Sequence, residues 1–343
     1  MNSPTCRGLR VRGTQPCATR PSGRAGWPKS PLLAILPLVW SLAGLAQTVE
    51  RYEGMCDASA AAALDERHFV VASDEKNVLH IYEHGRPQVL AKVALDDFLR
   101  TGGDEADLEA GTRVGDRIYW MGSMGRDRKG RPAPARDRFF ATDIEPGGAL
   151  PALRPVGDAP ARLREAIIAS EAGREWQLGQ AAVKAPEAVG GLNIEGLTHT
   201  GDGALLIGFR NPLRAGRALV LPLLNPADVI VGQAPRFGPA IALDLGGRGV
   251  RAMARTADGY LLVGGPVADD GSFALFHWRG GSDAPQPLTQ PALGTLRPEA
   301  LFGWPGGVQW QLISDDGGVI EQGKPCKKLE DRKQSFRSLT FTR

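Results

Sequence analysis

Cysteine and histidine are scarce in this sequence, and no basic stripe runs through the body of the chain. The five histidines are scattered, and the four cysteines, at positions 6, 17, 56 and 326, form no Cys-x-x-Cys pair. That composition excludes the usual zinc spacings, because a closed site needs four such ligands at short intervals. No apolar run reaches the roughly 20 residues that span a bilayer as a helix. The longest such stretch, residues 31–46 (PLLAILPLVWSLAGLA), is shorter than that and is interrupted by Pro37.

What precedes that stretch is basic. Arg7, Arg10, Arg12, Arg20, Arg24 and Lys29 lead into it, and it ends in small residues. A charged segment, an apolar segment and a small-residue end form the pattern of a secretory signal peptide, so residues 1–46 are expected to be removed between Ala46 and Gln47. The other reading of the stretch is a membrane anchor. Cleavage leaves a mature domain of residues 47–343 with no stable membrane anchor, expected in the periplasm or secreted. The whole chain carries a formal charge of +3, and losing six basic and no acidic side chains makes the remainder acidic. Nothing in that balance points to nucleic acid, which requires basic residues gathered on the mature fold. Cys56 and Cys326 are the pair left in an exported chain, and they are expected to form a disulfide closing a long loop; two separate buried thiols are the alternative.

What is abundant is turn-forming residue and short apolar run. Glycine (44) and proline (26) punctuate a chain that is 42% hydrophobic, the composition of an all-β fold with many short strands. One phrase recurs: a charged residue, a small residue and, in all copies but the second, an apolar residue, then a tight turn and a second apolar strand. Its copies are Glu53-Gly54-Met55, Glu109-Ala110-Gly111, Glu195-Gly196-Leu197, Arg251-Ala252-Met253 and Glu299-Ala300-Leu301. The turns include Gly201-Asp202-Gly203 and Asp258-Gly259, and Asp-Gly between apolar runs is a strong hairpin signal. Third strands follow at Val78–Tyr82, Arg138–Thr142, Ala218–Leu221 and Phe273–Phe276, and weaker fourth strands at Val89–Leu95 and Ile241–Leu245. A unit that cannot bury its own apolar face must stack on copies of itself, and four antiparallel strands per unit make one blade of a β-propeller.

Five blades are preferred. Six stay open, because Arg337-Ser338-Leu339 in the C-terminal strand (336–341) can be read as one more copy. On the five-blade reading that strand is the outer strand of the last blade, and the Cys56–Cys326 bridge closes the ring. The interval between the second and third copies is long, and residues 159–174 carry Leu163, Ala166 and Ile167 at near-helical spacing. A helical insertion on the rim is expected there, with a degenerate extra blade as the alternative.

The innermost strand of a blade runs along the central channel, so Glu53, Glu109, Glu195 and Glu299 are expected to converge there, with Arg251 as the odd member. Carboxylates crowded together cannot all stay ionised without a cation between them, and an all-oxygen set suits calcium. The alternative is structural: each Glu satisfies a neighbouring blade or pairs with Arg251. The basic hairpin 125–138, containing Arg126, and Arg210-Asn211-Pro212 in the next unit would collar the channel mouth. Guanidinium forks match phosphate oxygens, so Arg126, Arg210, Asn211 and Arg251 are candidate contacts to an anionic small molecule or polyanion. Ser123 in Met121-Gly122-Ser123-Met124-Gly125 lacks the following helix that a nucleophile elbow requires.

Tyr52–Ala60, the Trp120–Arg138 hairpin, Asn193–Leu197 and Gly208–Pro212 together resemble the bacterial secreted family catalogued as domain of unknown function 3616, over nearly all of the mature chain. That resemblance implies a propeller and no assigned activity. The phrase is more distantly similar to the calcium-activated nucleotidases (apyrases) and the esterase-like phytase propellers. These imply a central calcium held by Glu53, Glu109, Glu195 and Glu299, and phosphoester hydrolysis; Arg251 departs from their pattern. Two functions follow as expectations: a calcium-dependent protein that binds or hydrolyses a phosphorylated ligand, or a non-catalytic propeller that grips a protein or glycan.

Overall fold

The computed structural model describes residues 47–157, 162–268, 270–306 and 308–343, so the expected signal peptide lies outside the described residues. The chain begins with strand β1 (Gln47–Glu53). The first blade is β2 (Ala58–Ala63), β3 (His68–Ser73), β4 (Val78–Glu83) and β5 (Ala91–Ala94), followed by the short helix α1 (Asp96–Leu99). The second is β6 (Leu108–Val114), β7 (Arg117–Gly122), β8 (Phe139–Glu145) and β9 (Ala152–Val156). Three short helices intervene: α2 (Leu163–Ala169), α3 (Glu171–Glu175) and α4 (Leu178–Ala181). The third blade is β10 (Asn193–His199), β11 (Leu205–Arg214), β12 (Arg217–Leu223) and β13 (Ile241–Leu243), with α5 (Pro226–Val229) before its last strand. The fourth is β14 (Gly249–Thr256), β15 (Gly259–Gly265), β16 (Ala274–Trp278) and β17 (Gln286–Leu288). The fifth contains β18 (Pro298–Gly303) and β19 (Gln309–Ser314); a small hairpin, β20 (Ile320–Glu321) with β21 (Lys324–Pro325), then precedes β22 (Ser335–Thr342).

Five four-stranded antiparallel sheets make a five-bladed propeller. The innermost strands β2, β6, β10, β14 and β18 pack against one another in a ring, with β18 returning to β2. These strands read as runs of small and apolar residues because both faces are covered; every residue of β2 (ASAAAA) is buried. Small residues are required where blades converge. A Cβ on Gly196 would lie 2.6 Å from Val250 Cγ1 of the next blade.

Ring closure differs from the sequence expectation. β1 pairs with β22 along its whole length, Gln47 with Phe341 through Glu53 with Ser335, so the fifth sheet has the order β1-β22-β19-β18. The C-terminal strand is therefore third in its blade, and the N-terminal strand is the outer one. The seven residues before Gly54 supply that one strand, which is all that closing the ring requires. The Cys56–Cys326 disulfide is present and spans the same seam, between the start of the first blade and the β20–β21 insertion of the fifth. It reinforces a closure that backbone pairing already makes.

The helical insertion is also present, and it runs further than 174. Leu163, Ile167, Trp176 and Leu178 pack into the core shared by the second and third blades, next to Met124, Phe139 and Ile194. The Ser170 side chain caps α3 by accepting from Gly173 N–H at 2.9 Å.

Candidate functional site

Each inner strand carries a β-bulge near its start, and all five fall at the same structural position. Pairing skips one residue at Ser59, Glu109, Glu195, Arg251 and Glu299. A bulge leaves one residue out of the ladder and re-aims its side chain, and here the repeated device sets five side chains at equivalent points around the channel. Four of them are residues of the repeated phrase. The fifth is Ser59, in place of Glu53. Glu53 lies exposed at the end of β1 on the outermost strand of the fifth blade, and does not join the other carboxylates. The spacing misled because the first true copy, Ser59-Ala60-Ala61, has no charged residue to mark it. Ser59 Oγ instead donates to the Leu108 carbonyl of the next blade at 2.8 Å.

The axis is held by arginine. Arg251 Nε lies 2.9 Å from Glu195 Oε2, and its Nη2 donates to Glu299 Oε1. Glu195 Oε1 also accepts from Arg210 Nη1 and from Asn193 Nδ2, both at 2.9 Å. Burial alone would lower the Arg251 pKa, but Glu195, Glu299 and Glu109 outweigh it and hold the guanidinium firmly charged. Glu109 stands apart. It is 9% exposed and makes no ion pair among the described residues. Burial first, then Asp107, Glu195 and Glu299, raises its pKa well above the ordinary carboxyl value.

Above this layer the channel widens into a cavity of about 670 Å³. The residues two places before four of the five bulges (Asp57, Asp107, Asn193 and Arg297) line it, together with Asp74, Arg210 and Asp315 from the far ends of second strands, and the basic hairpin. Its charges are unevenly paired. Asp107 is held 2.9 Å from Arg136 Nη1, whereas Asp57, Asp74 and Asp315 have no salt bridge among the described residues. Asp57 is 7% exposed and fits only because position 317 is glycine: a Cβ there would lie 1.9 Å from Asp57 Oδ1. Burial, followed by the charges of Asp315 and Glu75, pushes Asp57 up to about 7. Burial likewise raises Asp74 well above its usual value and raises Asp315, and Asp74 Oδ1 is buried without a hydrogen-bond partner. Glu299 is pushed up to about 8, burial outweighing the pull of Arg251. Two cations of the lining, Lys129 and Arg297, are exposed and have no side-chain partner among the described residues.

The other sequence candidates sit differently. Arg126 braces the hairpin, donating to the carbonyls of Ala182 at 3.0 Å and Gly130 at 2.9 Å, and is not part of the cavity wall. Asn211 Nδ2 donates to the carbonyls of Pro186 and Ala188, both at 2.7 Å, and is buried. Arg210 and Arg251 do line the cavity, each engaged with Glu195. The acidic wall of Asp57, Asp74 and Asp315 was not singled out from sequence. Its only signal was Asp in the turns flanking strands, where Asp is common for other reasons.

An oxygen-only donor set suits a hard ion such as calcium. At the bulge layer Glu195 is already paired with Arg251 and Arg210, and Glu299 with Arg251. The unpaired donors are Asp57, Asp74 and Asp315. No three His, Cys, Asp or Glu side chains among the described residues are gathered closely enough to enclose an ion by themselves. The protein could provide only part of a coordination shell there.

Residues 174–296, from the helical insertion through the third and fourth blades, match the family model described as "Protein of unknown function (DUF3616)", and over that stretch the chain is similar to that family. No curated protein matches the chain. Among solved structures it is similar to a glutaminyl cyclase from Myxococcus xanthus (11% identity, 87% of this chain and 97% of that one, TM-score 0.42). It is also similar to a putative oxidoreductase (glucose dehydrogenase) from Thermus thermophilus (14%, 86% and 100%, TM-score 0.43). A third is the Xanthomonas campestris gluconolactonase (14%, 83% and 76%, TM-score 0.38). At these identities and scores the likenesses carry no argument about chemistry.

Proposed function

We propose that this protein is an exported propeller that binds a small anionic ligand, a phosphate ester or a carboxylate, in the 670 Å³ cavity, with calcium entering alongside it. The observation that supports the reading is the uneven pairing of the cavity's charges. Lys129 and Arg297 offer positive charge to the ligand. Asp57, Asp74 and Asp315 face it as carboxylates without a salt bridge among the described residues, and a hard divalent ion held between one of them and ligand oxygens would relieve their mutual repulsion. Glu109 lines the same cavity with its carboxyl pKa raised by burial; in its protonated form it would donate a hydrogen bond to the ligand, and on an ester it would serve as the proton donor. The disulfide accords with an oxidising compartment, and no helix among the described residues is long and apolar enough to cross a membrane.

The test uses the purified mature protein with glycerol 3-phosphate, in calcium or in EDTA, read by calorimetry and by release of inorganic phosphate. Binding in calcium that disappears in EDTA and in Asp57→Asn supports the reading. Phosphate release in the same samples extends it to hydrolysis, and Glu109→Gln should then abolish release while binding persists. Equal heats with and without calcium, unaffected by Asp57→Asn, overturn the calcium bridge.

A further inference from the structure

The channel has a second mouth, and its chemistry is the reverse of the first. Where the inner strands end, a hollow of about 440 Å³ opens on the opposite face. The axial gap between the two mouths, at Ser59, Glu109 and Met253, is only about 10 Å³, room for at most about one water. The two chambers are therefore separate sites.

One wall of this hollow is the alanine run of β2, Ala61 to Ala63, and another is formed by Trp304 and Trp310 of the fifth blade. Alanine walls let a flat or slender body approach the backbone closely, and aromatic side chains add contact area at low entropic cost. Two buried polar side chains of the lining have no hydrogen-bond partner: Thr198 (Oγ1), 0% exposed, and Trp304 (Nε1), 7% exposed. The rim is basic. Arg113 is committed to the Leu64 and Gly115 carbonyls, both at 2.7 Å. Arg255 is exposed and has neither ion pair nor hydrogen bond among the described residues. His199 turns Nδ1 to the Thr200 carbonyl at 2.9 Å, and burial lowers its pKa, so it adds no charge at neutral pH.

We propose that this mouth is a binding site for an amphipathic anion, its aromatic or aliphatic body between the alanine wall and Trp304 and its carboxylate or sulfonate on Arg255. The shape selects an apolar body, and the one uncommitted guanidinium selects its charge. The chamber at the other end is lined mainly by charged side chains of both signs, and has neither the alanine run nor a tryptophan.

Two fluorescent probes of similar shape test this: 1-anilinonaphthalene-8-sulfonate, which carries the anion, and N-phenyl-1-naphthylamine, which does not. The wild-type protein should bind the sulfonate at least tenfold more tightly than the neutral probe. Arg255→Glu should weaken the sulfonate by about tenfold or more, the scale of a lost charge-assisted hydrogen bond, and leave the neutral probe within twofold. Ala257→Trp, at an exposed rim position, should weaken both. Thermal melts establish that the variants are folded. Sulfonate affinity unchanged in Arg255→Glu, or equal losses for both probes, overturns the charge assignment; affinity unchanged in Ala257→Trp overturns the location.

Discussion

Arg251 of the fourth blade lies with its Nε 2.9 Å from Glu195 Oε2 of the third, while its Nη2 reaches Glu299 of the fifth. One guanidinium thus ties three blades together where they approach most closely. Removing it leaves Glu299 without an ion-pair partner and Glu195 with Arg210 alone, and breaking a buried pair from one side costs on the order of 3–5 kcal/mol. Arg251→Leu should lower stability by that amount in urea unfolding. Adding Glu299→Gln to that variant should recover part of the loss, most clearly above pH 8 where Glu299 would otherwise ionise, because it removes the carboxyl left without a partner. A loss below about 1 kcal/mol would show that the axis tolerates unpaired acid.

The raised carboxyl pKa values make stability pH-dependent, with a definite sign. The folded state binds these protons more tightly than the unfolded one. The associated stabilisation is complete below the ordinary carboxyl range and is lost as pH rises toward the folded values, about 7 for Asp57 and about 8 for Glu299. The unfolding midpoint without calcium should therefore fall between pH 4 and pH 8. Asp57→Asn should flatten that slope and be the more stable protein at pH 8. A midpoint that climbs over this interval in the wild type would contradict the assignment.

Ser59 and Glu53 should exchange the importance that their charges suggest. Ser59→Ala removes a buried hydrogen bond to the Leu108 carbonyl between the first and second blades, a loss of about 1 kcal/mol. Glu53→Ala, at an exposed position, should stay within about 0.5 kcal/mol and leave ligand binding intact. Chemical denaturation of both variants measures this, and a Glu53 effect exceeding the Ser59 effect would return Glu53 to the site.

Reduction should weaken the protein without opening it. The bridge joins residues 270 apart, and the chain-entropy model assigns a loop of that size at most roughly 6 kcal/mol. A reducing agent should lower the melting temperature markedly while the β-sheet circular dichroism below the transition is retained. Starting the chain at Gly54, which deletes β1 and leaves β22 with an open edge, should damage the fold more than reduction does. A truncated chain that melts with the reduced full-length protein would place closure in the disulfide after all.

The fold was legible because its signals are local and repeated. Asp258-Gly259 and Gly201-Asp202-Gly203 mark hairpins through backbone geometry, and the runs around them are strands covered on both faces. The same repetition located Glu109, Glu195, Arg251 and Glu299. It failed at the first blade, where Ser59 occupies the position without a charge to announce it, and where the nearest Glu belongs to a strand that crosses into the last blade. Strand exchange between chain ends has no local signature. The wall of Asp57, Asp74 and Asp315 was hidden for a related reason: its members come from opposite sides of the ring seam, and their altered acidity arises from burial, which residue type does not encode.

The pairing of β1 with β22 also orders events in time. Among the described strands the seven residues of β1 are synthesised before all others and the eight of β22 after all others, so β1 has no partner strand until the rest of the propeller has been made. No nascent fragment can seal the ring, however many blades it has completed. The last strand to be made is thus the one that turns an open stack of blades into a closed ring.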